Sequence, residues 1–358
     1  MLLSGGAFNS DGRSRMAFRT RNWLVAVCTT VCIAVVFIYQ FVQHEDAIDM
    51  SFHSETSNFK CKANTKLLIT ADYIECIEEK PIFFLETSDS PRIKARASCA
   101  VESAARHHPE RQVRVLFSSP TALDLTDHFT KSLTQMDNVQ LLRMDMALIV
   151  EGTPLLDWYK KGKWKSSRYR TVHVSDALRL VLLWKYGGLY LDTDVVVLRS
   201  LSHLHNTTTT DNGKNLGSAL LSFEPYHPVL QATIMDFAAS YSSSEFAKNG
   251  PVLLNKHFKD RCHVEFVDEL YVGGENNCDV EVLPFKSTYP IEYSNWQEYF
   301  RPQTTPNETA FDSCYVIHVW NFLSSGGKLV VGQNSLYEMA MKKHCPKVYE
   351  LVKKVGYA

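Results

Sequence analysis

The run Y-G-G-L-Y-L-D-T-D-V-V-V-L at positions 186 to 198 sets two carboxylates inside an otherwise apolar stretch. Burying Asp192 and Asp194 without a cation is unfavourable, so the fold must bring a positive partner to them. Gly187 sits where a helix would stop, and Val195, Val196, Val197 and Leu198 continue the apolar run. Residues two apart on a strand share a face, which predicts Tyr190, Asp192 and Asp194 pointing into one concavity. Carboxylate oxygens suit a hard divalent ion such as Mg²⁺ or Mn²⁺. A D-x-D on its own also suits a solvated strand end, so the weight falls on its surroundings.

Trp23 to Val42 carries no charge. At about 1.5 Å per residue it matches the roughly 30 Å of a bilayer core. Arg13, Arg15, Arg19 and Arg21 precede it while Glu45, Asp46 and Asp49 follow, which puts the amino end in the cytosol. A cleaved signal peptide would have a shorter apolar region ending in small residues, whereas this one ends in Phe37, Ile38, Tyr39, Gln40 and Phe41. The expected layout is a cytoplasmic tail at 1–22, a transmembrane signal-anchor at 23–42, a polar stem at 43–79 and a lumenal domain at 80–358.

Cysteine usage agrees with an oxidising compartment. Beyond Cys28 and Cys32 in the span there are Cys61, Cys76, Cys99, Cys262, Cys278, Cys314 and Cys345, with no C-x-x-C pair to suggest zinc. The expected disulfides are Cys262 with Cys278, Cys61 with Cys76 and Cys314 with Cys345, leaving Cys99 as a buried thiol on an apolar helix face. Asn206 and Asn307 open sequons for glycans. With 45% hydrophobic and 22% charged residues the chain can bury a sizeable core, and a net charge of -1 excludes a general electrostatic case for nucleic acid.

Beyond the stem, I-F-F-L after Pro81 reads as a short buried strand ending at Glu86, Thr87 and Ser88. Ile93 to His107 has helical apolar spacing, and Val113 to Phe117 and Val139 to Met144 read as further strands. Strand, helix, strand predicts a parallel α/β layer with its ligand crevice at the carboxyl ends of the strands. Thr153 to Tyr159 opens a loop-rich insert with Trp164 and basic residues through Arg170. Ser175 caps an expected helix from Asp176 to Tyr186, in which Asp176 and Arg179 are neighbours. Ser218 to Phe223 is a strand ending at Glu224, followed by helices at Val229 to Tyr241 and Val252 to Phe258. In a late strand, Val316, His318 and Trp320 would share a face.

The succession of S-D-A-L-R at 175–179 and G-G-L-Y-L-D-T-D at 187–194 is far more specific than a lone D-x-D. With F-F-L-E-T-S at 83–88, C-A-V-E-S-A-A-R at 99–106, T-P-L-L-D-W-Y at 153–159, G-P at 250–251 and H-V-W-N at 318–321, it resembles the α-1,4-glycosyltransferase family and its D-x-D sugar-binding region. The matching segments run from about Pro81 to Pro346. The resemblance implies a Golgi membrane protein of type II topology with a GT-A-type nucleotide-sugar-binding α/β fold, built on a mixed, mostly parallel sheet. It implies a retaining transferase that moves galactose or N-acetylgalactosamine from UDP to a glycosphingolipid, with Mn²⁺ or Mg²⁺ as cofactor.

On that resemblance Asp194 ligates the ion directly, and Asp192 reaches the ribose or sugar of the donor and the ion. His318 is a candidate third ligand, with a hydrogen-bonded core residue as its other reading. Asp176 and Arg179 hold donor-sugar hydroxyls, unless Arg179 is only the structural partner of Asp192. Glu86 and Thr87 fall at the donor edge. Trp320, Trp158 and Trp296 stack on acceptor sugars or else pack the core. Glu224 is the candidate for stabilising an oxocarbenium-like state from the opposite face.

Two other classes compete. Leu189 to Val196 also fits the phosphoaspartate pattern of haloacid-dehalogenase phosphatases, with Asp192 as nucleophile, but that fold places the motif on its first strand. A non-catalytic Golgi lectin or chaperone could use the same fold, since fold does not fix function. Retention of both carboxylates, Arg179 and His318 argues for chemistry.

Overall fold

A computed structural model describes residues 80–211, 214–273, 278–307 and 309–356. The expected span at 23–42, the stem and the Cys61–Cys76 pair lie outside the described residues. Among the described residues no helix is long and apolar enough to cross a membrane.

The strands are β1 Ile82–Glu86, β2 Val113–Phe117, β3 Val139–Arg143, β4 Gly188–Leu191, β5 Val195–Val197, β6 Thr207–Thr210, β7 Leu216–Phe223, β8 Glu281–Leu283 and β9 Val316–His318. The first helices are α1 Ala95–His107, α2 His128–Leu133, α3 Met146–Val150, α4 Leu155–Lys161 and α5 Arg170–Tyr186. They are followed by α6 Pro228–Ser240, α7 Leu253–Cys262, α8 Asn321–Ser324, α9 Leu336–His344 and α10 Pro346–Val355.

Seven strands form one sheet in the order β3-β2-β1-β4-β7-β6-β8, while β5 and β9 make a separate two-stranded sheet. Pairings β1–β2, β1–β4, β2–β3 and β6–β8 are parallel, and β4–β7 and β6–β7 are antiparallel. This is the mixed, mostly parallel sheet that the resemblance implies. Period-two alternation sorts β1 between two cores. Phe83 and Leu85 face the layer holding α5, α6 and α7, and Ile82 and Phe84 face the layer holding α1.

Several boundaries differ for physical reasons. Helix α5 begins at Arg170, five residues before the expected cap, because the Ser175 hydroxyl is engaged with Tyr190 Oη at 2.9 Å and is not a cap. Gly187 ends α5 as predicted, at φ 64°, and Gly188 follows at φ 101°. A Cβ on Gly188 would lie 2.3 Å from the Pro81 carbonyl, so only glycine lets β4 enter beside β1. The insert at 153–159 is partly helical, as α4. The threonine-rich β6 and the short β8 were not foreseen, since a run of four threonines carries no alternation to read.

The disulfides correct two expectations. Cys262 pairs with Cys278 as predicted, but Cys99 pairs with Cys345, and among the described residues Cys314 is the free, buried thiol. Cys99 faces α9 and α10 from α1, and the third core cluster contains Cys99, Tyr337, Met341, Cys345 and Val348 together. Sequence proximity favoured Cys314; the packing of α1 on the carboxyl-terminal helices decides for Cys99. Beside this bridge the fully buried Glu102 accepts from the backbone N–H groups of Lys347 at 3.0 Å and Val348 at 2.7 Å, satisfying the first turn of α10. Burial pushes its carboxyl above the ordinary range against those hydrogen bonds. Loss of the bridge in Cys345→Ser should cost about 2–5 kcal/mol in urea unfolding. Glu102→Ala should cost about 1–3 kcal/mol, and Glu102→Gln, which keeps one acceptor, clearly less.

Candidate active site

Strand β4 ends at Leu191, and Asp192, Thr193 and Asp194 form a turn before β5 starts. The Val195 N–H closes that turn on the Asp192 carbonyl at 3.2 Å. The two aspartates therefore converge through a turn between two sheets, and not along one strand as the alternation predicted. The turn lies at the carboxyl end of β4, beside the carboxyl end of its parallel neighbour β1, where a crevice forms in open α/β sheets.

The second sheet brings in the late residues. In the β5–β9 pairing Val195 stands opposite His318, which sets the imidazole beside Asp194. Beyond His318 the chain grips the same aspartate twice: Val319 N–H donates to the Asp194 carbonyl at 3.0 Å and Asn321 N–H to Asp194 Oδ2 at 2.6 Å. Trp320 is not a strand residue; its φ of 55° turns the chain, and its indole Nε1 donates to the Ile291 carbonyl at 2.8 Å. Its ring stacks on Tyr289 at 4.9 Å and meets His318 at 4.5 Å.

Charge balance is local. His318 Nε2 lies 3.2 Å from Asp194 Oδ1 and 4.0 Å from Asp192 Oδ2. Burial works against the charged imidazole, but Asp194 and then Asp192 outweigh it and raise its pKa. Burial likewise opposes the Asp194 carboxylate, and the ring and the Asn321 N–H still hold its pKa below the ordinary value. Arg179 Nη2 is 3.2 Å from Asp192 Oδ1 and 3.4 Å from Asp176 Oδ1. Its Nη1 donates to the Ser218 carbonyl at 2.7 Å and to Ser218 Oγ at 2.9 Å, and its plane lies 4.5 Å over Tyr190. Tyr190 Oη in turn donates to Asp192 Oδ1 at 2.5 Å. The arginine is thus the bridge between Asp176 and Asp192.

Asp176 is almost fully buried, and its Oδ2 has no hydrogen-bond partner. Burial pushes its carboxyl up to about 6 in spite of Arg179. The backbone of Gly250 approaches it so closely that a Cβ there would meet the carboxylate at 2.5 Å, which accounts for glycine in the G-P segment.

The ligand atoms of Asp192, Asp194 and His318 all lie within 4.8 Å of one another. Two carboxylate oxygens and one imidazole nitrogen converging at that spacing fit a divalent metal ion. Glu86 and Thr87 lie at the same sheet edge; Glu86 accepts from Ser88 N–H and Thr87 Oγ1 donates to the Thr171 carbonyl at 2.8 Å, fastening β1 to α5.

Two expected residues stand elsewhere. Because β7 runs antiparallel to β4, Phe223 pairs with Gly188 and Leu220 with Leu191, so Glu224 emerges at the end of the sheet opposite Asp192. There it pairs with Lys80 and faces His205 at 3.6 Å, and it has no part in the cluster. Trp158 is 4% exposed and packs edge-on against Phe237 and Tyr241, leaving no face for a sugar. Trp296 is half-buried, edge-on to Phe300. Of the sequon residues, Asn307 is exposed, whereas Asn206 is half-buried and accepts from Glu224 N–H at 3.0 Å.

The sequence reading missed Asn321, Ser218, Tyr190 as an Asp192 donor, and Asp211. Asp211 follows β6, its carboxyl is pushed up to about 6 by burial, and His318 counteracts that rise. Nothing in the local sequence marks it, because β6 and β7 place it. A cleft of about 500 Å³ lined by Leu198, Phe311, Met339 and His344 contains none of the D-x-D residues.

A D-x-D turn at the carboxyl edge of a mixed α/β sheet, faced by a late histidine and an arginine from the preceding helix, fits the glycosyltransferases as a class. Residues 94–212 match the glycosyltransferase sugar-binding region containing the DXD motif, and residues 222–352 match the α-1,4-glycosyltransferase conserved region. The lactosylceramide 4-alpha-galactosyltransferase of Mus musculus is 35% identical over 277 residues, covering 76% of each chain. The alpha-1,4-N-acetylglucosaminyltransferase of Homo sapiens is 30% identical over 338 residues, covering 92% of this chain and 94% of that one. Among solved structures the PaToxG glycosyltransferase aligns over 51% of this chain and 68% of its own, at 15% identity and a TM-score of 0.43. The chain belongs to the α-1,4-glycosyltransferase family.

The raised Asp176 carboxyl has a definite sign in stability. Between about pH 4 and 6 the native state holds a proton there that the unfolded chain has released, so this group makes stability fall as pH rises through that window. In chelator-treated protein, Asp176→Asn should therefore unfold in urea with a smaller decline, or a steeper gain, in stability between pH 4 and pH 6 than the parent chain. A parallel pH dependence for the two proteins would count against a buried, protonated Asp176.

Proposed function

We propose that this protein is a retaining, metal-dependent transferase that moves galactose or N-acetylgalactosamine from its UDP donor, in α-1,4 linkage, to the terminal sugar of a glycosphingolipid. The observation that carries the reading is the Asp192, Asp194 and His318 cluster, balanced by Arg179, at the carboxyl edge of the sheet. A divalent ion held there, Mn²⁺ or Mg²⁺, supplies electrostatic stabilisation to the negative charge that a departing diphosphate develops. Asp194 and His318 are the direct ligands in this reading, and Asp192 is shared between the ion and the donor.

The remaining roles fall to the chain itself. Arg179 fixes the Asp192 carboxylate from one side, and Tyr190 fixes it from the other. Asp176, Glu86 and Thr87 line the donor edge, and Trp320 offers a half-buried ring on the acceptor side. Residues 23–42 tether the enzyme to the Golgi membrane as a type II signal-anchor, the stem at 43–79 spaces it, and the domain from residue 80 works in the lumen, where the two disulfides form. The glycolipid acceptor rests on the relatives named lactosylceramide 4-alpha-galactosyltransferase. A second reading keeps the fold but takes protein glycans as acceptor with another hexosamine donor; the longer match to the alpha-1,4-N-acetylglucosaminyltransferase favours N-acetylglucosamine as that donor.

The full chain in detergent, supplied with Mn²⁺ and individual UDP-sugars, should release UDP with one hexose or hexosamine donor and transfer it to a terminal galactoside. Asp194→Ala and His318→Ala should each lower turnover about 10²–10³-fold, as loss of a preorganised electrostatic group does. Glu224→Gln, at the far end of the sheet, should leave turnover within about twofold of the parent, since exposed substitutions away from a site have small effects. UDP release that is equal in the parent and Asp194→Ala would end the proposal.

A further inference from the structure

Between Tyr159 and Arg170 the chain carries Lys160, Lys161, Lys163, Lys165, Arg168 and Arg170 with no acidic residue among them. All but Arg170 are exposed. Arg170 reaches Asp89 at 2.7 Å. The run is laid over aromatic rings: Lys165 and Arg170 lie 5.6 Å from the Trp164 ring, and Arg168 lies 4.7 Å from Tyr169. Tyr169 meets the edge of Phe246 at 5.3 Å, and Phe246 meets Phe322 at 4.7 Å. Phe322 is 63% exposed, Leu323 44% and Phe246 39%. A basic strip thus passes without a break into an exposed apolar cluster.

That cluster borders the catalytic centre and is rigidly mounted. Asn321, the residue before Phe322, is the one whose N–H holds Asp194 Oδ2. Ser324 is fully buried, and Arg96 from α1 donates to its carbonyl at 3.0 Å, to its Oγ at 2.9 Å and to the Gly327 carbonyl. The base of α8 is therefore pinned, and Phe322 and Leu323 are held outward. Neither side chain brings a polar group to a sugar hydroxyl. Exposed apolar side chains rimmed by cations have the chemistry of an interfacial surface, with the apolar groups below the headgroups and the cations among them.

We infer that this face docks on the bilayer leaflet that holds the acceptor, with anionic lipid headgroups over residues 160–168 and Phe246, Phe322 and Leu323 in the interface. The inference rests on the glycolipid reading above, and it explains why the apolar cluster stands next to Asp194: a glycolipid headgroup rising from that leaflet meets the centre directly.

The test uses the full chain and two acceptors with the same sugars, a glycolipid in phosphatidylcholine vesicles with or without phosphatidylserine, and the water-soluble free oligosaccharide. The double variant Phe322→Ser, Leu323→Ser should lose roughly tenfold or more in kcat/KM on vesicles while keeping kcat/KM on the free oligosaccharide and the KM for donor. The triple variant Lys160→Gln, Lys161→Gln, Lys163→Gln should lose the stimulation by phosphatidylserine and its sensitivity to salt. Equal loss on both acceptors, a raised donor KM, or vesicle kinetics unchanged in both variants would overturn the inference. Transfer by the parent chain to the oligosaccharide but to no vesicle glycolipid would refute the glycolipid reading itself, an outcome visible before any variant is made.

Discussion

Asp192 and Asp194 are separated by one residue in a turn between two sheets, and two basic side chains of different origin face them. Arg179 comes from the helix just before the turn and answers Asp192; His318 comes from a strand far along the chain and answers Asp194. Neither alone balances the pair. Arg179 is a permanent charge anchored by Ser175 and Ser218, so its side of the centre is fixed. The imidazole side is exchangeable, since a ring nitrogen that pairs with a carboxylate can instead bind a metal once its proton leaves. A centre with one fixed charge and one exchangeable ring nitrogen can admit a divalent ion while Arg179 keeps its hold on Asp192.

The two sheets divide the work that this balance requires. The large sheet positions Asp192 through β4 and the edge residues Glu86 and Thr87 through β1, and the small sheet carries His318 to Val195. Because the D-x-D lies in the turn that joins them, any shift of one sheet against the other would alter the distance between carboxylates and imidazole. Several contacts oppose such a shift: the Asn321 and Val319 N–H groups on Asp194, and Arg96 on Ser324 at the end of α8.

Much of this was legible in the sequence. Glycine after a helix, short apolar strands and two acids within an apolar run each have a local physical cause, and β1, α1, β2, β3 and the glycine end of α5 are close to where the pattern put them, although the two acids sit in a turn and not on a strand. The residues that escaped are those whose role is set by pairing across the fold. Trp158 has the same local signature as a sugar-stacking ring, but α6 covers it. Glu224 ends an apolar strand, as a catalytic carboxylate does, yet the antiparallel direction of β7 sends it to the wrong edge. Cys314 lies nearer Cys345 in sequence than Cys99 does, and helix packing reverses the choice. Asp211 had no signal, because its strand is a threonine run.

The Cys99–Cys345 bridge joins residues 246 apart, and β9 pairs with β5 across about half that interval. During synthesis the D-x-D turn therefore emerges well before the histidine, the clamp on α8 and the cysteine that close around it. Domain folding proceeds as the chain is delivered, so a nascent molecule holds two acids and an arginine without their late partner. His318 reaches Asp194 only once β9 has paired with β5, and the Cys99–Cys345 bond can close only over carboxyl-terminal helices already packed on α1.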